Sequence, residues 1–276
     1  MGLRGIPPFT GVAIRFTIAS LALLLVGLVT HVPLGRPPRE RWLWLVNAAL
    51  TFSTSYGVVY WSEQWVPSGL TAVLFATYPL FVAVLAHFAL PSERLTSKAA
   101  AGILLGFAGA AVIFSEDLSL LGGPRVAFAS AIVLVSPLVS AVASVAVKRW
   151  GHGIHPISLT AVPMGITGVV MGGVAAATER GRPIVWNEAS VGALLYLALF
   201  GSAVTFSLYY WLLSHVRATR LSLVAYTIPV VAVGVGILFM GEALSGRVLA
   251  GSALVLAGVA MAVHSPRRPR PPEGAP

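Results

Sequence analysis

Residues 60–114 read YWSEQWVPSGLTAVLFATYPLFVAVLAHFALPSERLTSKAAAGILLGFAGAAVIF. Two apolar stretches, 68–90 and 98–114, flank a short turn that carries Glu93, Arg94 and Lys98. A helix needs about 20 mostly apolar residues to cross the roughly 30 Å hydrocarbon core of a bilayer, so each stretch reads as a membrane crossing. Proline at position 79 lies near the middle of the first, and Gly102, Gly106 and Gly109 form one small-residue face of the second.

Outward from this segment, seven more apolar stretches follow the same rule: roughly 8–30, 42–62, 125–147, 156–177, 190–213, 219–240 and 247–264. The chain of 276 residues is 57% hydrophobic and 10% charged, and its mean hydropathy is +0.87. Soluble domains carry about 25% charged residues, so a soluble enzyme, a disordered chain and a fibrous repeat are excluded. Strands of about ten alternating residues are absent, which argues against a β-barrel. Helices satisfy their own backbone in lipid. The reading is an all-α polytopic membrane protein with nine transmembrane helices. No cysteine is present, which removes disulfides and thiolate sites.

The net charge is +9, but the basic residues are spread over short loops and a tail, so they read as orientation signals rather than as a nucleic-acid surface. Five of them, including Arg125, Arg180 and Arg247, fall on one side. Twelve, including Arg39, Arg94, Lys148, Arg217 and Arg267, fall on the other, and Arg15 is in the membrane. The richer side is expected to be cytoplasmic. That puts the C-terminus inside an inner or plasma membrane, with residues 265–276 as a disordered, basic, Pro-rich tail.

The 60–114 segment has a second copy. Tyr60-Trp61 precedes Pro79 by the spacing at which Tyr210-Trp211 precedes Pro229. Glu93 is followed by Leu95, Gly102 and Gly109, and Glu242 by Leu244, Gly251 and Gly258, at identical offsets. Five crossings separate the two glutamates. An odd number turns one copy upside down relative to the other, and inverted repeats are a construction principle of secondary transporters. The repeats are expected over 1–114 and 115–264. The second has five helices and the first only four, so the pattern predicts a further helix upstream of Met1.

These residues resemble the EamA family of the drug/metabolite transporter superfamily. The likeness rests on 60–114, on Gly-Glu-Ala-Leu at 241–244, and on Pro7, Pro8 and Arg15 at the opening of the first stretch. It implies a ten-helix fold of two five-helix repeats, the first helix lacking here, and export or exchange of small organic metabolites such as amino acids or drugs by alternating access around a midplane cavity. A coupling proton or counter-substrate fits that class.

Candidate site residues follow from polarity inside apolar helices. Asn47, Thr51, Thr54 and Ser55, with Tyr56 beside them, make a polar stripe that avoids lipid, either for interhelical hydrogen bonds or for a substrate path. Pro79 and Pro229 interrupt matching helices, as hinge or static kink. Tyr78 and Tyr226 sit deep enough to line a path, whereas Tyr60, Trp61, Tyr210 and Trp211 read as interfacial anchors. Arg15 lies about 10 Å inside its helix. It is expected to pair with Glu63 at an outer gate, to meet an anionic substrate group, or to snorkel to headgroups. Glu93 and Glu242 are expected to serve as structural markers near helix starts. His152 and His155 read as solvated, with no metal or cofactor, and no P-loop is present. A scaffold, a channel or a membrane-embedded enzyme are the competing classes; none of the residue constellations of a membrane protease is found.

Overall fold

The structure, a computed structural model, describes residues 6–35, 37–113, 115, 124–228, 230–231 and 246–264. All regular elements among them are helical. Six helices are long and apolar enough to span a bilayer: Pro8–Val29, Leu70–Ala89, Pro124–Trp150, Pro156–Thr178, Glu188–His215 and Gly246–Val263. Ser97–Ile113 is a shorter apolar helix. The stretch expected at 42–62 is helical from Pro38 to Ser62, but it changes character partway. The stretch expected at 219–240 is described at 219–228 and 230–231 only; the rest of it, with Pro229, Glu242 and the tail from 265, lies outside the described residues.

In chain order the helices are α1 (Pro8–Val29), α2 (Pro38–Val46), α3 (Tyr56–Ser62), α4 (Ser68–Phe75), α5 (Tyr78–Ala89), α6 (Ser97–Ile113), α7 (Pro124–Val133), α8 (Val135–Trp150), α9 (Pro156–Thr178), α10 (Glu188–Ala198), α11 (Thr205–His215), α12 (Ala218–Ser222) and α13 (Gly246–Val263). Two π-helical segments interrupt the series, Asn47–Ser55 between α2 and α3, and Leu199–Val204 between α10 and α11. Four helices open on a proline, at Pro8, Pro38, Pro124 and Pro156. At the first helical position the missing N–H costs nothing and φ is already set.

Contacts divide the chain into two compact units, each drawing on both halves of the sequence. One comprises Met1–Gln64 and Ala146–His215, the other Trp65–Val145 and Val216–Pro276.

The first unit is built on α1 against α9. Thr17 faces Gly168, Ser20 faces Gly165, and the Ser20 hydroxyl donates to the Ala161 carbonyl at 2.8 Å. Residue numbers rise along one helix as they fall along the other, so the pair is antiparallel. Pro163 lies inside α9. It has no N–H to give Leu159, and the Leu159 carbonyl accepts instead from Asn47 Nδ2 at 3.1 Å.

The second unit is built on α6 against α13. A Cβ on Gly102 would lie 2.6 Å from the Gly258 carbonyl oxygen, and one on Gly258 the same 2.6 Å from that of Gly102. Gly109 and Gly251 stand in the same reciprocal relation at 2.7 and 2.8 Å. This pair is antiparallel too, and its backbones touch because all four positions are glycine, a small-residue contact of the membrane type. Ile103, Ala110, Leu223, Tyr226 and Val255 pack around it. Large apolar side chains point outward from both units, as with Val169 at 78% exposed and Phe88 at 82%. Water would not tolerate such faces; lipid does.

Candidate functional site

In the first unit Arg15 is buried at 6% exposure. Its Nε donates to Ser202 Oγ at 2.8 Å, one terminal nitrogen to the Tyr60 hydroxyl at 3.0 Å, and the other to the Gly201 carbonyl at 3.1 Å. The guanidinium carbon stands 5.2 Å from the Tyr56 ring centre and 5.6 Å from that of Phe16. The pair with Glu63 is not formed; Glu63 is exposed at the end of α3. Every group that holds Arg15 is therefore neutral. An uncompensated cation in this setting costs several kcal/mol unless such contacts or water replace its hydration.

The π-helical segment Leu199–Val204 makes this arrangement possible. A π turn closes by i→i+5 bonds and turns carbonyls away from the regular ladder. Ser202 Oγ donates to Leu197, Thr205 Oγ1 to Phe200, and Arg15 to Gly201, so side chains serve carbonyls around the widened turn. Aromatic rings surround it. Phe16, Phe52, Tyr56 and Phe206 lie edge-on or tilted at centroid distances of 4.8–6.1 Å, and Phe206 continues to Tyr210 at 6.4 Å. Tyr210 is 2% exposed. It is part of this cluster and not an interfacial anchor, whereas Trp211 is exposed.

The other π segment, Asn47–Ser55, carries the polar stripe. Asn47, Thr51 and Ser55 are buried, while Thr54 is exposed. The wider turn explains the difference: with i→i+5 bonds a spacing of four keeps a face and a spacing of three leaves it. Ser53 and Thr167 share a hydrogen bond at 3.1 Å, and Thr167 Oγ1 donates to Ala48 at 3.3 Å. Asn47 is fully buried and its Oδ1 has no partner among the described residues.

In the second unit α4 ends at Phe75 and α5 begins at Tyr78, so Pro79 lies in the first turn of a new helix. The proline acts through the break it forces at Ala76-Thr77, where Thr77 Oγ1 donates to Leu74 at 2.6 Å. The Tyr78 hydroxyl meets Ser144 Oγ at 2.9 Å. Tyr226 is fully buried, its ring over Gly106 and its hydroxyl donating to the Ile103 carbonyl at 3.0 Å. Pro163 was not singled out in the sequence, although the argument applied to Pro79 applies to it.

Three buried glutamates were also not legible as a set. Both oxygens of Glu93 are used. Oε1 accepts from the Ala218 N–H at 2.8 Å; Oε2 accepts from the Thr219 N–H at 3.0 Å and from Thr219 Oγ1 at 3.1 Å. Glu179 repeats the arrangement on Phe9 N–H, Thr10 N–H and Thr10 Oγ1 at 2.9, 2.8 and 2.7 Å. Glu93 thus serves the start of α12, not of α6, the next helix in sequence. Glu40 accepts from Ser158 Oγ near the start of α9, and Trp44 Nε1 donates to the same Ser158 oxygen at 2.9 Å. The residues before α1 and α12 are Pro7 and Arg217, and neither makes a side-chain cap. Helix starts need acceptors for their free N–H groups, and a distant carboxylate supplies them. His155 caps α9, accepting at Nδ1 from the Ile157 N–H at 3.3 Å.

A bundle of long apolar helices with polar and charged groups held inside it defines a membrane-embedded, multi-pass protein. The chain belongs to the EamA-like transporter family, whose model matches residues 1–115 and 127–264. It is 25% identical over 261 residues to the uncharacterized transporter YoaV of Bacillus subtilis strain 168, covering 95% of this chain and 89% of that one. It is 30% identical over 253 residues to the uncharacterized inner membrane transporter YedA of Escherichia coli K12, covering 89% and 78%. A solved crystal structure shares the fold at a TM-score of 0.81 with 21% identity, covering 95% of this chain and 88% of the other. Family and relatives point to a transporter with a small-molecule substrate rather than to an enzyme.

Proposed function

We propose that the protein is a secondary transporter, an exporter or exchanger of small organic metabolites, and that Arg15 meets a carboxylate or similar anionic group of the substrate. One observation carries this reading: a buried guanidinium held entirely by neutral groups, using one N–H from each of its three nitrogens. Arginine has five N–H donors, more than its bonds to Ser202, Tyr60 and Gly201 use, and an incoming anion would supply the charge compensation the protein withholds. The surrounding rings Phe16, Tyr56, Tyr60 and Phe206 would receive an apolar or aromatic body.

Asn47, Thr51, Ser55 and Tyr56 continue the path along one face, with the free Asn47 Oδ1 as an acceptor. Tyr78, Pro79, Tyr226 and Pro229 belong to the moving half of the cycle in this reading, with Pro79 and Pro229 as hinges and the two tyrosines as packing that re-forms between states. Residues 1–114 and 115–264 are taken as two repeats of inverted topology within a ten-helix plan, and the antiparallel, reciprocal glycine contacts of α6 and α13 support that symmetry. Alternating access follows from such symmetry, with a proton or counter-substrate as coupling partner. The twelve basic residues on one side support a cytoplasmic C-terminus in the inner or plasma membrane.

The test is flux of amino-acid and monocarboxylate panels into proteoliposomes holding the full chain. Saturable, stereoselective flux of an anionic solute is expected, reduced at least about tenfold in Arg15→Gln, one lost charge-assisted hydrogen bond being worth about 1.5–3 kcal/mol. Equal flux in wild type and Arg15→Gln, with both proteins monodisperse, would refute the substrate role of Arg15.

A further inference from the structure

Away from Arg15, three arginines from two distant parts of the sequence line one cavity in the second unit. Arg94 comes from the loop before α6, Arg217 stands just ahead of α12, and Arg220 is inside α12. The cavity has a volume of about 30 Å³ and is also lined by Glu93, Thr96 and Thr219. A water needs roughly 10–15 Å³ measured in this way, so the space fits two waters or the outer oxygens of a phosphate.

The charge balance here is unusual. Glu93 is the acidic residue of the lining, and both its oxygens are occupied by Ala218 and Thr219. Its hydrogen bonds run to the start of α12 rather than to the arginines. Arg220 donates to the Val263 carbonyl at 2.9 Å. Among the described residues no carboxylate pairs with Arg94, Arg217 or Arg220. With three arginines and one glutamate the lining carries a formal charge of +2, which a bound anion would offset.

We propose that this cavity is a binding site for a phosphate-bearing group, supplied by an anionic phospholipid headgroup. A carboxylate fills one guanidinium fork, whereas a tetrahedral phosphate offers oxygens in several directions and matches several forks at once. The remaining lining supports a lipid as the source. Leu95, Ala99 and Ala262 give the cavity an apolar side, and it opens beside the first turn of α6 and the last turn of α13, at the ends of apolar helices. Basic pockets between membrane helices at headgroup depth are suited to anionic lipids. The site is independent of the transport reading, since none of its residues belongs to the Arg15 cluster.

The experiment uses the full chain purified in neutral detergent, with thermal unfolding and native mass spectrometry as readouts. The probes are dioleoyl phosphatidylglycerol, dioleoyl phosphatidylcholine and inorganic phosphate. Phosphatidylglycerol is expected to form a one-to-one adduct and to raise the unfolding midpoint by about 5 °C at 100-fold excess over Kd. Arg94→Gln/Arg217→Gln is expected to weaken that binding about 30-fold, at about fivefold per arginine. Arg39→Gln/Arg41→Gln, which removes equal charge elsewhere, should leave it within about threefold. Arg94→Glu, a single change at an exposed loop position, serves if the double variant does not fold, and should weaken binding by a similar factor, about 30-fold, since it removes the same charge. Equal stabilisation by phosphatidylcholine, or equal losses in the two double variants, overturns the proposal. Stabilisation by inorganic phosphate with no effect of phosphatidylglycerol overturns the lipid source in favour of a soluble phosphate.

Discussion

The two units solve one problem in two ways. Each packs a helix from the first half of the sequence antiparallel to one from the second, α1 with α9 and α6 with α13. In the second unit glycine meets glycine and the backbones touch. In the first, Thr17 and Ser20 occupy the space left by Gly168 and Gly165, and a hydroxyl ties the pair together. The first unit also holds both π segments, the internal Pro163 and the buried Arg15, while the second packs mostly alanine, valine and leucine around its glycines. Close backbone contact gives a pair that does not tolerate added atoms. Polar contacts and widened turns give one whose hydrogen bonds can be re-partnered, which is where a transport site is best placed.

The largest test of that contrast is steric. Gly258→Val should leave no monodisperse protein on size exclusion, because its Cβ meets the Gly102 carbonyl at 2.6 Å and backbone cannot yield. Gly165→Ala, whose nearest neighbour is the end of the Ser20 side chain at 2.8 Å, should fold with a lowered unfolding midpoint. Equal behaviour of the two variants would remove the distinction.

Next in size are the glutamates. Glu93→Ala and Glu179→Ala each remove an acceptor of three hydrogen bonds at a helix start. Each should cost about 3 kcal/mol, the range for losing bonds to a charged group. Thermal unfolding checks whether the two losses match, as the shared geometry requires.

The smallest effect sharpens the role of Pro163. Asn47→Ala should cost about 0.6 kcal/mol in the wild-type background. In Pro163→Ala, where residue 163 regains its N–H for Leu159, the cost should fall toward zero. A double-mutant cycle on unfolding free energy reads the coupling, and additive losses would mean that Asn47 does not serve the carbonyl that proline frees.

Much of the bundle was legible because lipid imposes strong rules on composition. Apolar runs of helical length, bounded by proline and charge, placed most crossings. The glycines at fixed offsets from Glu93 and Glu242 marked the helices that pair in the second unit. The site was less legible. Arg15 was visible as a charge out of place, but its partners Ser202 and Gly201 are more than 180 residues away. Glu63 was a plausible partner by helix arithmetic, yet the chain directs Arg15 to Tyr60 and the π turn instead. Thr54 left the polar stripe because a π segment changes the period, and nothing in residues 47–55 announces that change.

By itself the sequence determined that this chain is a helical membrane protein, roughly where its helices run, and which positions are too small or too polar to face lipid. Those properties follow from local composition against a uniform apolar solvent. Only the tertiary structure decided which helix starts the buried glutamates complete, what holds Arg15, and which arginines converge on one cavity. The physical reason is that a helix N-terminus or a guanidinium accepts any acceptor of suitable geometry, so chemistry limits the class of partner, and packing alone brings one of them within 3 Å.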